Sequence, residues 1–262
     1  MHRSSSPVAR VPAKRPQAQA RQSAPPAVPK PQPRIRPLAE PPISLALARF
    51  HENKPLVSPL GNRTFGYLAA KRLFDVAGAA LLIVLFSPVM LTTLLLLTIT
   101  TKGRPLFSQQ RIGHCGRRFW MIKFRTMRLD ADKLQQSVVN EKDGPIFKNR
   151  RDPRITHIGR FLRRSSIDEM PQLFNILLGS MSMVGPRPPI AKEVAQYAPW
   201  QRRRLAVQPG LTCLWQVSGR SEIRFEDWVR MDIWYLENQS LWTDMKLLVR
   251  TPVSVLNGRG AY

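Results

Sequence analysis

The stretch Val76-Ala-Gly-Ala-Ala-Leu-Leu-Ile-Val-Leu-Phe-Ser-Pro-Val-Met-Leu-Thr-Thr-Leu-Leu-Leu-Leu-Thr-Ile-Thr-Thr101 has no charged residue and is mostly apolar. A helix that crosses a bilayer needs about 20 apolar residues, so this stretch is long enough to cross. Ser87-Pro88 lies near its middle, and a proline inside a helix removes one hydrogen bond and clashes with the preceding turn. The stretch therefore predicts a membrane helix with a break at Ser87-Pro88.

Both flanks of this stretch are basic. Lys71 and Arg72 precede it, and five basic residues follow: Lys102, Arg104, Arg111, Arg117 and Arg118. Because basic flanks stay on the cytoplasmic side, a spanning helix would have to export one of the two groups. A re-entrant helix keeps both groups on one side, so we expect a re-entrant anchor over residues 66–102, with a plain transmembrane helix as the alternative. The Ser87 hydroxyl is expected to bond a backbone carbonyl that Pro88 frees.

The N-terminal arm, residues 1–65, has a different composition. It holds eleven Lys and Arg, two acidic residues and thirteen of the 24 prolines. Such a segment is too polar to form a core and is typical of disordered, proline-rich chains. Two interpretations stay open: a solvated tail, or a basic arm held against anionic lipid.

The rest of the chain, residues 66–262, is also basic, with 30 Lys and Arg against 15 Asp and Glu. It has no zinc-finger spacing, RNA-binding aromatic motif or basic zipper, so we expect no nucleic-acid partner. Anionic lipid and a phosphorylated substrate account for the charge instead. Cys115 and Cys213 lack paired spacing, which fits a reducing compartment, and four scattered histidines do not suggest a zinc site.

The local patterns after the anchor predict a mostly helical α/β domain with a small β-hairpin. Residues 105–111 and 118–124 are the expected strands, joined by a glycine-containing loop. Residues 129–139 are expected to be helical and 140–153 to be a loop. The further predicted helices are 155–164, with core-facing Ile155, Ile158, Phe161 and Leu162, then 168–178, 225–236 and 241–255.

Asp168 and Glu169 are the candidate chemical groups, placed at a helix start by Pro171. The simplest explanation is structural, because Ser166 and Glu169 have the spacing of a capping box. The chemical alternative uses the two carboxylates for different partners, since adjacent helical residues do not face each other. Arginines before them and Arg187 after them suit phosphate oxygens, which fits a diphosphate.

Seven short motifs lie between Lys71 and Val217, and they occur in the same order as in a known protein family. They are Lys71-Arg-Leu-Phe-Asp75, Ser87-Pro88, Lys123-Phe-Arg-Thr-Met127, Asp152-Pro-Arg-Ile155, Ser166-Ile-Asp-Glu-Met-Pro-Gln-Leu173, Val184-Gly-Pro-Arg-Pro188 and Pro209-Gly-Leu-Thr-Cys-Leu-Trp-Gln-Val217. Through them, residues 71–262 resemble the monotopic phosphoglycosyl transferases, bacterial sugar transferases that begin exopolysaccharide assembly on undecaprenyl phosphate. The chain resembles the short form of this family, without a multi-helix membrane domain.

The resemblance implies a two-step transfer of a hexose-1-phosphate from a UDP-sugar to undecaprenyl phosphate. Asp168 matches the family nucleophile, which forms a covalent aspartyl-phosphosugar intermediate and releases UMP. Glu169 matches the residue that helps to bind the cofactor Mg²⁺. The matched positions that bind phosphate and nucleotide are Lys123, Arg163, Pro186, Arg187 and Pro188.

Two positions depart from the family pattern. Ser180 replaces an expected aspartate, and Cys213 replaces an expected glycine, which puts a side chain where the backbone needs room.

We expect an enzyme at the bacterial inner membrane with its catalytic domain, residues 103–262, on the cytoplasmic face. Galactose or glucose is the expected sugar, while homo-oligomers and other polysaccharide-assembly partners stay open. The rival hypothesis is a non-catalytic scaffold on the same fold.

Overall fold

The first helix dominates the architecture. The computed structural model describes residues 64–135, 138–219 and 223–257, so the predicted arm lies outside the described residues except for its last two. Helix α1 spans Phe65–Thr100, and the Thr64 hydroxyl caps it by accepting a hydrogen bond from the Tyr67 amide. Among the described residues, α1 is the one helix long and apolar enough to cross a membrane.

Helical structure continues through Ser87-Pro88, so the break predicted at this point does not interrupt α1. Pro88 has no N–H, so the carbonyl of Val84 lacks its usual helical donor. The Ser87 hydroxyl donates to that carbonyl over 2.8 Å. This confirms the role expected for Ser87, and it explains how α1 accommodates a proline in its interior.

One stripe of α1 packs against the rest of the protein, both before and after Pro88. The buried residues are Lys71, Asp75, Ala79, Thr93 and Leu97. Their spacing of four residues, repeated on each side of the proline, places them on one face. The exposed apolar side chains include Leu73, Leu81, Val84, Leu85, Leu91, Leu95 and Ile99. The helix therefore presents an uncovered apolar surface along its length.

The predicted hairpin is confirmed. Strand β1 (Leu106–Ile112) pairs antiparallel with β2 (Arg118–Phe124), with Leu106 opposite Phe124 and Ile112 opposite Arg118. A 3-10 turn, His114–Gly116, joins them.

Residues 129–139 do not form the predicted helix. The described part of this segment consists of turns and bends, with backbone bonds between residues three apart. Asp130 accepts two bonds from Arg128, and aspartate side chains that bond locally compete with helix formation. Gln135 accepts a bond from the buried guanidinium of Arg154, a tertiary contact that the helical pattern does not reveal. Residues 140–153 form a loop, as predicted.

Helix α2 spans His157–Arg164, two residues later than predicted, because Ile155 bridges to Met127 instead. Leu162 is buried, whereas Phe161 is 65% exposed, so its predicted core position is wrong. A 3-10 turn, Ile167–Glu169, then leads to helix α3 (Gln172–Leu177). Asn175 of α3 fastens this helix to β2 by accepting from the Ile122 amide and donating to the Trp120 carbonyl.

The second half contains a small parallel sheet that the sequence patterns did not predict. Strand β3 (Ser182–Val184) pairs with β4 (Gly210–Thr212). Between them lie the short helices α4 (Ala191–Ala195) and α5 (Pro199–Arg202) and a 3-10 turn, Arg203–Ala206. Helix α6 (Leu214–Ser218) follows β4.

The two C-terminal helices are confirmed as α7 (Phe225–Glu237) and α8 (Leu241–Asn257). Trp228 and Tyr235 of α7 are buried core residues, whereas Trp234 and Trp242 are exposed. The aromatic residues of this region therefore divide between the core and the surface. The described residues form a mostly helical structure with two small sheets.

Candidate active site

A cleft of about 400 Å³ lies among the β1–β2 hairpin, α2, the turn before α3 and the segment after β3. Five acidic side chains line it: Asp132, Asp152, Asp168, Glu169 and Glu193. Eight basic side chains also line it: Arg111, Lys123, Arg125, Arg128, Lys148, Arg154, Arg163 and Arg187. This excess of positive charge suits an anionic ligand.

Asp168 lies in the 3-10 turn before α3 and is 7% exposed. Ser166, two residues earlier, has a φ of 58°, an uncommon conformation for a residue other than glycine. The Ser166 side chain makes no capping bond, and the Glu169 carboxylate bonds Lys123 instead. The capping-box explanation is therefore wrong, because neither side chain serves the helix start.

Burial raises the pKa of the Asp168 carboxyl to about 6. The nearby positive charges of Lys123 and Arg163 act in the opposite direction, while the negative charge of Glu169 raises the pKa further. A buried carboxylate next to two cations is thus ionised at neutral pH and poorly hydrated, which is a suitable state for a nucleophile.

Lys123 and Arg163 are held in place by different contacts. Lys123 extends from β2, and its Nζ lies 2.8 Å from Oε1 of Glu169. Arg163 extends from the last turn of α2, and its Nε donates to the Thr126 hydroxyl over 2.9 Å. Lys123 is therefore an ion-paired cleft residue rather than a solvated strand residue. Arg163 is fixed by a neutral partner and lies within electrostatic range of Asp168.

Arg187 follows β3, in a segment that packs closely against the chain before β4. A Cβ atom on Gly185 would lie 2.3 Å from the Gln208 carbonyl oxygen, so only glycine fits this approach. Arg187 and Pro188 line the cleft, whereas Pro186 is buried and lies outside its lining. The structure thus brings together all of the predicted phosphate-binding residues except Pro186.

The sequence interpretation missed several residues at the cleft, of which four add positive charge or buried donors to it. Arg111 and Lys148 add positive charge to it, and Gln172 and Trp215 add buried donors. Gln172 Nε2 and Trp215 Nε1 have no hydrogen-bond partner among the described residues. Gln172 and Trp215 lie in two of the motifs quoted above, so those motifs could have identified them as site residues. Lys148 lies in a loop that has no recognisable sequence pattern.

The carboxylates of the cleft are the side chains that could hold a magnesium ion. Within the described ranges 64–135, 138–219 and 223–257, no three His, Cys, Asp or Glu side chains come together as a metal site. Mg²⁺ usually takes only one or two carboxylates and completes its shell with water and substrate phosphates. The adjacent carboxylates of Asp168 and Glu169 fit that kind of site and do not form an all-protein cage.

The two departures from the family pattern are accommodated locally. Ser180 exchanges hydrogen bonds with the side chain and carbonyl of Asn175. Cys213 has an extended backbone, with a φ of −149°, and its side chain is buried in the core with Trp215 and Trp228. The expectation that Cys213 crowds the backbone is wrong, because any residue adopts this conformation.

The chain thus combines a basic cleft around a buried carboxylate with an exposed apolar helix that is long enough to cross a membrane. Residues 66–258 match the family model described as bacterial sugar transferase, so the chain belongs to that family. This confirms the resemblance drawn from the motifs.

Three relatives illustrate the similarity. The chain is 43% identical over 201 residues to a galactosyl transferase, CpsE, of Streptococcus agalactiae, covering 75% of this chain and 44% of the relative. It is 37% identical to the exopolysaccharide production protein ExoY of Rhizobium meliloti, covering 80% of this chain and 93% of ExoY. It is 40% identical to a UDP-glucose:undecaprenyl-phosphate glucose-1-phosphate transferase of Caulobacter vibrioides, covering 73% and 72%. The chain spans less than half the length of several other curated relatives that it matches.

Proposed function

We propose that the protein transfers a hexose-1-phosphate from a UDP-sugar to undecaprenyl phosphate, as the first membrane step of exopolysaccharide synthesis. The buried Asp168 among cleft cations is the observation that carries this proposal. The names of the relatives support the substrate class and include both galactose and glucose. Either hexose is therefore proposed as the transferred sugar.

The reaction would proceed by two displacements at one phosphorus atom. In the first, an Asp168 carboxylate oxygen forms a bond to the β-phosphorus, and the bond from that phosphorus to the bridging oxygen breaks. UMP leaves with the bond's electron pair. In the second, a phosphate oxygen of the lipid attacks the same phosphorus, and the bond to Asp168 breaks. The products are the polyprenyl diphosphate sugar and the regenerated carboxylate.

The surrounding residues have distinct roles in this scheme. Lys123 and Arg163 would hold the oxygens of the transferred phosphate and favour the ionised form of Asp168. Burial of Asp168 would exclude water and so protect the covalent intermediate from hydrolysis. Glu169 would hold Mg²⁺, which would supply charge neutralisation at the phosphates when it is bound.

The test is the Asp168→Asn variant, which keeps the side-chain volume and removes the nucleophile. Purified wild-type protein in detergent with Mg²⁺ is expected to release more than one equivalent of UMP only when polyprenyl phosphate is present. The variant is expected to release none. Asp227→Asn, a change at an exposed carboxylate of α7, is the matched control and should keep wild-type turnover.

Unchanged turnover in Asp168→Asn would contradict the mechanism. A wild-type protein inactive with all of several UDP-sugars would favour the non-catalytic scaffold.

We further propose that α1 is a re-entrant anchor and that the catalytic domain lies on the cytoplasmic face of the inner membrane. Residues on both sides of Pro88, such as Asp75 and Leu97, are buried against the same domain. A helix that crossed the hydrocarbon core, about 30 Å thick, would carry one of these ends away from that domain.

Cysteine labelling in intact cells tests this topology. The native cysteines are buried, so introduced cysteines report the reactivity. Ala70→Cys and Arg104→Cys, both at exposed positions, should be protected from an impermeant thiol reagent. Labelling of one position but not the other would indicate a spanning helix.

A further inference from the structure

Two sets of cleft cations can be distinguished by the group on which they act, and Arg163 acts on both Asp168 and Lys148. Lys123 and Arg163 are the cations that lower the pKa of Asp168. Arg187 lowers the pKa of both Arg111 and Lys148, which places each of these two cations within electrostatic range of Arg187. The proposed mechanism uses the first group for the transferred phosphate and leaves Arg111 and Lys148 without a role.

Two of these cations lie on one pair of buried tryptophans. Lys148 Nζ is 5.7 Å from the centre of the Trp215 ring, and the Arg187 guanidinium is 5.8 Å from that of Trp228. The two ring centres are only 3.7 Å apart. Because both indoles are almost fully buried, they form a rigid support that keeps the cations near each other.

Arg111 completes the group from β1. Its guanidinium is buried and donates to two neutral acceptors, the Pro188 carbonyl and the Gln109 side chain. Its Nε has no hydrogen-bond partner among the described residues. By comparison, the buried guanidiniums of Arg154 and Arg204 form ion pairs with Asp152 and Asp232.

Holding these cations together is costly in the ligand-free protein. Burial and the charge of Arg187 lower the pKa of Arg111 to about 10, although the negative charges of Glu193 and Glu169 oppose this shift. Burial and neighbouring cations lower the pKa of Lys148 to about 7. The other charges facing Lys148 are Lys142 and Arg163, which act in the same direction, and Glu169, which opposes them. An anion bound among the three cations would offset both the repulsion and the desolvation.

The geometry of phosphoryl transfer identifies this anion. Attacking and leaving oxygens lie roughly in line through the phosphorus, so the leaving group is opposite the nucleophile. If Asp168 attacks first, the departing UMP is opposite Asp168. The incoming lipid phosphate must then enter from that same side, because Asp168 is the leaving group of the second displacement.

We propose that Arg111, Lys148 and Arg187 form a second phosphate subsite, which holds the phosphate of the departing UMP and then that of the incoming polyprenyl lipid. This inference rests on the proposed function. Its chemistry is recognition of a phosphate monoester, which is common to both ligands. Lys148 and Arg187 provide point charge and paired N–H donors respectively.

UMP binding to the full chain in detergent with Mg²⁺, measured by calorimetry, tests the subsite without turnover. Lys148→Met is expected to weaken UMP binding by about 10- to 100-fold, as for the loss of a hydrogen bond to a charged group. Lys148→Arg should restore most of the affinity because it keeps the charge. Lys192→Met, at an exposed position outside the cleft, is the matched control and should bind UMP like wild type.

Unchanged UMP affinity in Lys148→Met would overturn the subsite. The KM for polyprenyl phosphate, measured with the same variants, should rise in parallel. Weaker UMP binding with an unchanged KM for the lipid would overturn shared use and support a subsite for the nucleotide alone. Lys148-dependent UMP binding in a wild-type protein that transfers no sugar would support the subsite and contradict the proposed function.

Discussion

Replacing Gly159 by alanine is expected to disable the site from outside the cleft. Gly159 lies in α2 directly against the backbone of Thr126. A Cβ atom at this position would be 2.0 Å from the Thr126 carbonyl oxygen and 2.8 Å from the Thr126 Cα. Contacts below 3.0 Å essentially never occur, so α2 and this segment must separate by at least about 1 Å. The obstructing atoms belong to the backbone and cannot rotate away.

Moving α2 away from Thr126 would also displace groups around the candidate nucleophile Asp168, through two contacts. Thr126 accepts the Nε bond of Arg163, which lies one turn after Gly159. Asp168 follows α2 in the next turn and lies within electrostatic range of Arg163. A misplacement of about 1 Å costs roughly 100-fold in rate, so UMP release by Gly159→Ala should fall to about 1% of wild type. Overpacking should also lower the free energy of unfolding by about 1–3 kcal/mol.

To test this, the rate of UMP release and the thermal unfolding of purified Gly159→Ala are measured in detergent. Gly78→Ala is the matched control, because its Cβ would meet only the flexible Met183 side chain, at 3.8 Å. That variant should keep the wild-type rate and gain up to about 1 kcal/mol of stability, since alanine is the better helix former. A wild-type rate and unfolding temperature for Gly159→Ala would refute the proposed packing of α2 on Thr126.

Three further outcomes are expected. Because the Asp168 pKa is raised to about 6 and the nucleophile must be ionised, kcat/KM for UMP release should fall about tenfold per pH unit as the pH drops below about 6; an unchanged rate between pH 6 and pH 4.5 would contradict this. Lys71→Met should lower the free energy of unfolding by about 3–5 kcal/mol, because Lys71 is paired with buried Asp75 and Asp244; calorimetry alongside Lys192→Met measures the loss, and equal stabilities would rule it out. Cys213→Gly, the family-like residue, should destabilise the protein by about 1–3 kcal/mol because it removes a buried side chain; an unchanged unfolding temperature would show that Cys213 does not support the core.

Patterns formed by residues close together in the sequence correctly predicted the helix α1 and the hairpin of β1 and β2. The apolar run became α1, and the two strand patterns around a glycine-containing loop became β1 and β2. The hydrogen bond from the Ser87 hydroxyl to the Val84 carbonyl was predicted, because Pro88 lacks the N–H that would normally bond the carbonyl four residues earlier. Pro171 placed Asp168 and Glu169 near a helix start, although the predicted helix over 168–178 begins only at Gln172 and the two acids lie in the 3-10 turn before it. In each case, the determining interactions lie within a few residues along the chain.

The failures involve partners distant in sequence. Residues 129–139 had a helical pattern, but contacts such as that between Gln135 and Arg154 accompany turns instead. Phe161 had core spacing, yet the face of α2 that carries it remains exposed. The pairing of β3 with β4 joins segments nearly 30 residues apart. Three-residue strands have too little pattern to reveal a parallel pairing.

The sequence by itself determined the apolar helix, the hairpin, the family motifs and the candidate nucleophile, because these depend on residue type and short spacing. Only the tertiary structure decided which charges share the cleft. It brought Lys148 from a patternless loop onto Trp215 and placed Arg111 beside the segment that carries Arg187. It also gave Asp168 its raised pKa, since burial and neighbouring charge are properties of packed surroundings and not of the residue itself.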